Sequence, residues 1–434
     1  MGRGLQAALC FAVGALASAG GLGQTPQTQA PPAAQVGIPT PASRPNAVTL
    51  QELIGFAQTR NPTLLSAQQN LEAVHAQEIQ AGVRANPYFT LYGTNITLPA
   101  EGASNPYAYS AQVSRLFERG DKRRWRLDAA RATTEQTTDQ LHDQQRQITF
   151  QLKQAFTNML MAKAALMLAQ DNLRDFRREL DINNERLKVG DIDKLDFERL
   201  DLQLAQFESD EANARSNLMQ ASYQLQTLAG YTRPDDTFDI RGDVIPPVVN
   251  DTPASLEQKA LAARPDYLAA QAGTRVATAN VRLAEANGTT DPTLEGEYDR
   301  SGTYNSAGFS VSIPLRLFDR NQGNKATSRY QATASQFSVT AEENQVRSDV
   351  AQAWVGYTTS KQLSDRYNSH YLDESKDALA IAQFAYEHGG IALTDYLDAL
   401  RDARTVAVNA LSAYSQTWLA IHQLSLATST EVVP

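Results

Sequence analysis

The chain has 434 residues, a mass of 47.5 kDa and a formal net charge of −9. That acidity argues against nucleic acid as a partner, because the phosphate backbone repels it. Apolar residues reach 42%, enough for a core, yet aromatics are 8% and mean hydropathy is −0.41, a balance that fits long exposed helices better than a compact enzyme.

The N-terminus has the pattern of an export signal. Arg3 supplies the positive start, Leu5 to Leu16 the apolar stretch, and Ala17-Ser18-Ala19 a small-residue cleavage site. The mature protein is expected to begin near Gly20. Cys10 is the only cysteine and lies inside that apolar stretch, preceded by Ala7, Ala8 and Leu9, so lipidation of Cys10 is disfavoured. Beyond the signal no run of about 20 apolar residues remains to form a transmembrane helix, which leaves β-strands as a route into a bilayer.

Residues 20–46, rich in Pro, Gln, Ala and Thr, form an extended lead-in. From Leu50 to about Ala85 the pattern is helical. Two strands follow, around Tyr88 to Ile96 and Tyr107 to Val113. In the second of these, Tyr107, Tyr109, Ala111 and Val113 alternate with Ala108, Ser110, Gln112 and Ser114. From Asp121 to Leu187 there is neither proline nor glycine, which predicts one helix on the order of 100 Å long. Within it Leu152, Met159, Leu166, Leu173, Leu180 and Leu187 fall seven apart, and Ile148, Ala155, Ala162, Ala169 and Phe176 sit four before the first five. This is a coiled-coil seam. A turn at Gly190 leads into a closing helix to Leu228, whose seam runs Phe197, Leu200, Leu204, Phe207, Glu211, Ala214, Leu218, Ala221 and Leu225.

The pattern then repeats. RNPTLLSAQ from Arg60 returns as RPDYLAAQ from Arg264, LFERG at Leu116 as LFDRN at Leu317, QAF at Gln154 as QAW at Gln352, and GDIDKLDF at Gly190 as GGIALTDY at Gly389. The separations drift slowly, as small insertions after a duplication would make them. The expected plan is a signal at 1–19, the lead-in, a first repeat at 47–231 with strands at about 87–116 and a helical hairpin at about 121–230, and a linker at 232–253. A second repeat at 254–427 follows, with strands at about 292–314 and a hairpin at about 321–427, then a tail at 428–434. In the second closing helix the seam residues are smaller: Tyr396, Ala399, Ala403, Val406, Ala410, Ala413 and Thr417. Such side chains let helices approach closely.

The second strand pair alternates most cleanly. Leu294, Gly296 and Tyr298 oppose Glu295, Glu297 and Asp299; Phe309, Val311 and Ile313 oppose Ser310 and Ser312; a turn is expected at Asn305-Ser306. Strands of about nine residues span a bilayer when tilted. Four strands cannot close a barrel, and an open edge is not tolerated in lipid, so several chains must contribute; three would give twelve strands. The alternative is a small soluble sheet packed on the helices.

Four motifs carry a family likeness: RNPTLLSAQ, RPDYLAAQ, SIPLRLFDRNQGN from Ser312 to Asn324, and YEHGGIALTDYLDAL from Tyr386 to Leu400. Over about residues 47–427 the chain resembles the TolC-like outer membrane efflux proteins, and the third motif is particularly similar to the CzcC-like heavy-metal and cation branch, although related strings occur in drug-efflux members, so the resemblance implies a passive exit duct for metal cations or drugs. The resemblance implies a mainly α fold with a β-barrel part, two tandem repeats of helix, β-hairpin and long coiled-coil hairpin. Trimerisation would yield a 12-stranded outer membrane barrel and a periplasmic α-helical tunnel. It implies a homotrimer in outer membrane lipid, working with a periplasmic adaptor and an inner-membrane pump. The turns at Gly190, Gly389 and Gly390 become the tips where the adaptor docks. Tyr386, Asp395 and Asp398, with Asp196 from the first repeat, become the constriction, where rings of acids favour cations. One departure is Ile391, where family members often carry a basic residue, which argues against an inter-chain latch built on that charge.

Glu295, Glu297 and Asp299 are expected to line the barrel lumen. The histidines, His75, His142, His370, His388 and His422, show no ligand spacing, and Met159, Met161 and Met167 fit packing, so neither a metal site nor a cofactor is expected. No nucleophile elbow, phosphate loop or zinc-protease signature is present, and no enzyme is expected. The remaining alternatives are the exit duct of a type I protein secretion system and a periplasmic coiled-coil scaffold without a pore.

Overall fold

The computed structural model describes residues 41–94 and 107–433, together with Ile38 and Gly102. The expected signal, Cys10, most of the lead-in and the expected strand end at Ile96 lie outside the described residues. Two similar runs of elements follow one another. The first is α1 (Leu50–Arg60), α2 (Pro62–Gly82), β1 (Tyr88–Thr94), β2 (Ala108–Leu116), α3 (Lys122–Lys188) and α4 (Lys194–Ala229). The second is α5 (Pro253–Ala263), α6 (Pro265–Ala286), β3 (Thr293–Ser301), β4 (Tyr304–Ser312), α7 (Gln322–Arg366), α8 (Leu372–Glu387) and α9 (Leu393–Thr428). A π-helical turn, Tyr367–Tyr371, joins α7 to α8.

The single helix expected from Leu50 to about Ala85 is two. Pro62 has no N–H to give and biases the residue before it away from the helical region; Asn61 is extended (φ −67°, ψ 118°) and caps α2 through its side chain, which accepts from the N–H groups of Thr63 and Leu64. Thr49 and Glu52 close α1 as a reciprocal capping box. Asn61 also donates to the carbonyl of Leu228 at 2.8 Å, tying the short helices to the end of α4. Arg264 holds the matching place before Pro265, and reaches the carbonyl of Ala427 near the end of α9.

The long helix α3 is 67 residues, about 100 Å at 1.5 Å per residue. Its burial follows the heptad seam through Ile148, Leu152, Ala155, Met159, Leu173 and Phe176, but Met161, Ala164 and Leu168 are buried too. The stripe is wide because α3 packs on both α4 and α9 below, and on α2 and α6 above. Upper helices therefore run in the order α2, α3, α6, α7, and the strands in the order β1, β2, β3, β4, all antiparallel. The second hairpin turns at Gly302-Thr303, with Ser301 facing Tyr304, and not at Asn305-Ser306. Gly302 supplies the positive φ of 59° that a two-residue turn needs at its first position, so the strand extends past Asn305.

The segment between the two runs is a packed belt. Ile240 pairs with Val48 and is fully buried, Trp418 donates to the carbonyl of Val244, and Tyr357 accepts from the N–H of Val249 at 2.8 Å. Beneath it lies the central core of Leu256, Val346, Val350, Tyr357, Ile421 and Leu424.

His422 sits in this waist, 5% exposed, with a ring nitrogen 2.8 Å from the hydroxyl of Thr157. Burial, aided by the charge of Lys153, lowers its pKa to about 3. Below pH 6.5 the unfolded chain binds a proton at this residue that the folded chain refuses, so stability falls on acidification by at most about 1.4 kcal/mol per pH unit from this group. Between about pH 6 and 4, His422→Gln is expected to lose less stability than the parent; parallel denaturation curves would contradict the assignment.

Candidate functional site

The molecule has two ends that differ in chemistry. At the sheet end the register sorts residues by face. One row across the four strands is Phe89, Val113, Gly296, Phe309, and the next on that face is Leu91, Ala111, Tyr298, Ala307. On the opposite face the rows are Tyr88, Ser114, Glu295, Ser310; then Thr90, Gln112, Glu297, Gly308; then Tyr92, Ser110, Asp299, Ser306. The apolar face is bare: Phe309 is 84% exposed and Phe89 on β1 69%. Water is a poor environment for so continuous a patch. The acids Glu295, Glu297 and Asp299 share the polar face as expected, half-buried. Glu297 accepts from the hydroxyls of Tyr92 and Ser110, both at 2.7 Å, which ties three strands together.

At the far end, each hairpin turns with the same backbone device. Gly190 and Gly389 are left-handed (φ 78° and 71°) and follow α3 and α8. The N–H of Gly190 bonds to the carbonyl of Leu187 and that of Asp191 to Arg186; in the second hairpin Gly389 bonds to Tyr386 and Gly390 to Ala385. These are Schellman motifs. Asp193 then caps α4, accepting from the N–H groups of Leu195 and Asp196. At α9 the cap position is Ala392, and Asp395 compensates by accepting from the Ala392 N–H at 3.3 Å.

The expected constriction residues separate into two groups. Tyr386 is buried, with its ring stacked on Tyr396 at 5.3 Å and its hydroxyl 3.1 Å from Oδ1 of Asn183 on α3. The Arg186 guanidinium lies over the Tyr386 ring at 5.4 Å. Burial raises both tyrosine hydroxyls above their ordinary value and raises Glu179, whose carboxylate accepts from Asn183. Asp395 and Asp398, in contrast, are exposed. Asp398 pairs with Arg401 at 3.0 Å and Asp196 with Arg199 at 3.3 Å, whereas among the described residues Asp395 forms no ion pair. The acids are therefore not gathered into one cluster within a single chain.

Asn183 and Tyr396 escaped the sequence-based list. Asn183 continues the series Ile148, Ala155, Ala162, Ala169, Phe176 by one more heptad, and a polar residue on an apolar seam is a known signal of specified pairing. No group of three or more His, Cys, Asp or Glu side chains able to hold a metal occurs among the described residues.

The outer membrane efflux protein family model matches residues 53–231 and 256–430. The cobalt-zinc-cadmium resistance protein CzcC of Cupriavidus metallidurans is 26% identical over 378 residues, 86% of this chain and 88% of that one. The cation efflux system protein CusC of Escherichia coli is 26% identical over 57% of this chain and 56% of its own. A crystal structure of a membrane protein from Pseudomonas aeruginosa superposes with a TM-score of 0.75 at 19% identity, covering 92% of this chain and 99% of that one. The two matched stretches hold both strand pairs and both long hairpins, and the chain belongs to the outer membrane efflux protein family.

Proposed function

We propose that this chain is the outer-membrane exit duct of a tripartite efflux system for metal cations, formed by three copies. The carrying observation is a sheet with one bare apolar face and two open edges, mounted on hairpins long enough to reach far from it. Three four-stranded sheets close a barrel by joining β4 of one copy to β1 of the next, removing every edge from lipid. The helical layer supports the same ring. Its free edges carry exposed apolar side chains, Tyr330 and Phe337 on α7 and Ile79 on α2 above, Ile381 and Phe384 on α8 and Leu202 on α4 below. The polar rows with Glu295, Glu297 and Asp299 would then face the lumen, and strands of nine residues, about 30 Å long, cross the bilayer when tilted.

On this reading residues 47–231 and 254–427 are duplicated repeats. The turns at Gly190, Gly389 and Gly390 are the periplasmic tips that meet an adaptor and, through it, an inner-membrane pump. Tyr386, Asp395, Asp398 and Asp196 surround the narrow end. The metal-cation cargo rests on the names of CzcC and CusC and on the acids at both ends. The duct does no chemistry of its own: the pump supplies energy, and passage is diffusion once the tip opens.

The purified protein is expected to be a detergent-soluble trimer that conducts ions in planar bilayers. Cysteines introduced as Phe309→Cys and Val311→Cys are expected to resist a water-soluble thiol reagent in intact cells. A monomer without conductance, with both cysteines labelled, would overturn the proposal and favour a periplasmic scaffold.

A further inference from the structure

The two long rods are not equal. Gln154 and Gln352 open the matching strings QAF and QAW, each followed by a buried alanine (Ala155, Ala353), and Gly190 and Gly389 lie in equivalent Schellman motifs, yet the second interval is one residue longer. The closing helices α4 and α9 are both 36 residues, so they absorb nothing. The extra residue is taken up at the π-helical turn Tyr367–Tyr371, where the Leu372 N–H bonds to the carbonyl of Tyr367, five residues back. At the same level α3 continues as regular α-helix. A π turn is what a one-residue insertion makes of an α-helix, and it is a common site of kinks.

We propose that this turn is a hinge, created by a one-residue insertion in the second rod, about which α8 and the lower part of α9 swing away from the first hairpin. The inference rests on the duct reading for its purpose, the widening of the tip, but not for its geometry. Three observations support it. No residue of the turn is buried, so core packing does not clamp it; its tether is the hydroxyl of buried Tyr414, donated to Asn368 at 3.1 Å. Above the turn, α7 and α9 are fixed by the apolar waist of Val346, Val350 and Leu424. Below it, the contacts between the second hairpin and the first include the hydrogen bond of Tyr386 with Asn183, the pairing of Arg404 with Asp210, and guanidiniums over rings, Arg186 on Tyr386 and Arg404 on Phe207. The first hairpin has bulkier packing at that depth, with Phe176 stacked on Phe207 at 4.5 Å; the matching seam position of α9 is Val406, and Ala399 and Ala403 stand where α4 has Leu200 and Leu204. One rod bends while the other holds.

Two measurements test the hinge. In the assembled wild-type protein, hydrogen–deuterium exchange of amides 371–375 is expected to be at least tenfold faster than that of amides 173–177 on α3; equal protection overturns the proposal. Deletion of the exposed Ser369 restores an unbroken α-helix without changing the register on either side, and is expected to leave the trimer intact while open-channel conductance events fall at least tenfold. A deletion variant that assembles and opens like the parent also overturns it. The exchange arm needs no variant and no channel activity, so a wild type that fails to conduct would sink the duct reading while leaving the hinge to be judged by exchange alone.

Discussion

Arg264→Ala is expected to cost about 3–5 kcal/mol of stability, the range for breaking a buried ion pair by removing one partner. Arg264 is 3% exposed and lies within 2.5 Å of Asp266, 2.8 Å of Asp349 and 4.0 Å of Glu342. Arg146 shares the cluster, pairing with Asp143 at 2.5 Å and Asp266 at 3.0 Å. Four carboxylates thus depend on two guanidiniums, and removal of Arg264 leaves Arg146 to serve them all. By contrast Arg177, paired with Glu208 on the surface, is expected to matter by no more than about 1 kcal/mol. Chemical denaturation of the two alanine variants side by side measures the contrast, and equal losses would show that the cluster is not a structural hub.

The same cluster gives the deficit a pH dependence with a definite sign. Burial alone would raise Asp266, but the hydrogen bond from Arg264 and the charges of Arg146 and Arg264 outweigh it and hold its pKa below the ordinary value. Its stabilising contribution is present above the unfolded pKa and lost as pH falls through the folded one. Glu342 is already raised, by burial first and by its acidic neighbours second. Without Arg264, Asp266 loses the hydrogen bond and one of the charges that lower it and rises as well, the folded variant binds more protons than the unfolded chain, and acidification restores part of its stability. The gap between parent and variant is therefore expected to be widest at neutral pH and to narrow as pH falls toward the ordinary carboxylate range.

How far the sequence discloses this molecule depends on which force fixes each element. Helix α3 is legible within a residue or two at both ends, because an apolar heptad without Gly or Pro leaves the backbone one choice and Gly190 supplies the stop. The faces of β3 and β4 are legible because alternation decides them, but their turn is not: Asn305 is a good turn former, yet pairing extends as far as Ser301 and Tyr304 because Gly302 tolerates a positive φ. The break at Asn61 is written in Pro62 and is readable once the proline is weighed against the helical pattern. The π turn is half legible, since the drift from 198 to 199 residues between the repeats announces an insertion without saying whether helix or loop absorbs it. At the tip, the sequence yields the residues but not their partners: Tyr386 meets Asn183 across 203 positions, a pairing created by the packing of the second hairpin, through α9, on α3.

On the duct reading, those partners set the charge that the tip acids present to passing ions. Asp395→Asn combined with Asp398→Asn is expected to reduce cation preference, and Arg401→Gln to increase it, because the latter frees Asp398 from its neutralising partner. Asparagine at 395 keeps an oxygen for the Ala392 N–H, so the cap of α9 survives while its charge goes. In a threefold ring a unit charge about 6 Å from the axis contributes about 0.7 kcal/mol at the dielectric constant of water, and three contribute about 2. Screening over a Debye length of about 8 Å at physiological salt trims this toward roughly a tenfold change in cation-over-anion preference. Reversal potentials under a tenfold salt gradient report it, moving toward zero for the double aspartate variant and away from zero for Arg401→Gln. The opposite signs are the decisive feature: a general loosening of the tip would move both variants the same way, and a pore whose selectivity is set elsewhere, at Glu295, Glu297 and Asp299, would move neither. Acids that lie apart in one chain, each balanced differently by its own helix, become a selectivity element only if the symmetry of the assembly brings their copies around a common axis.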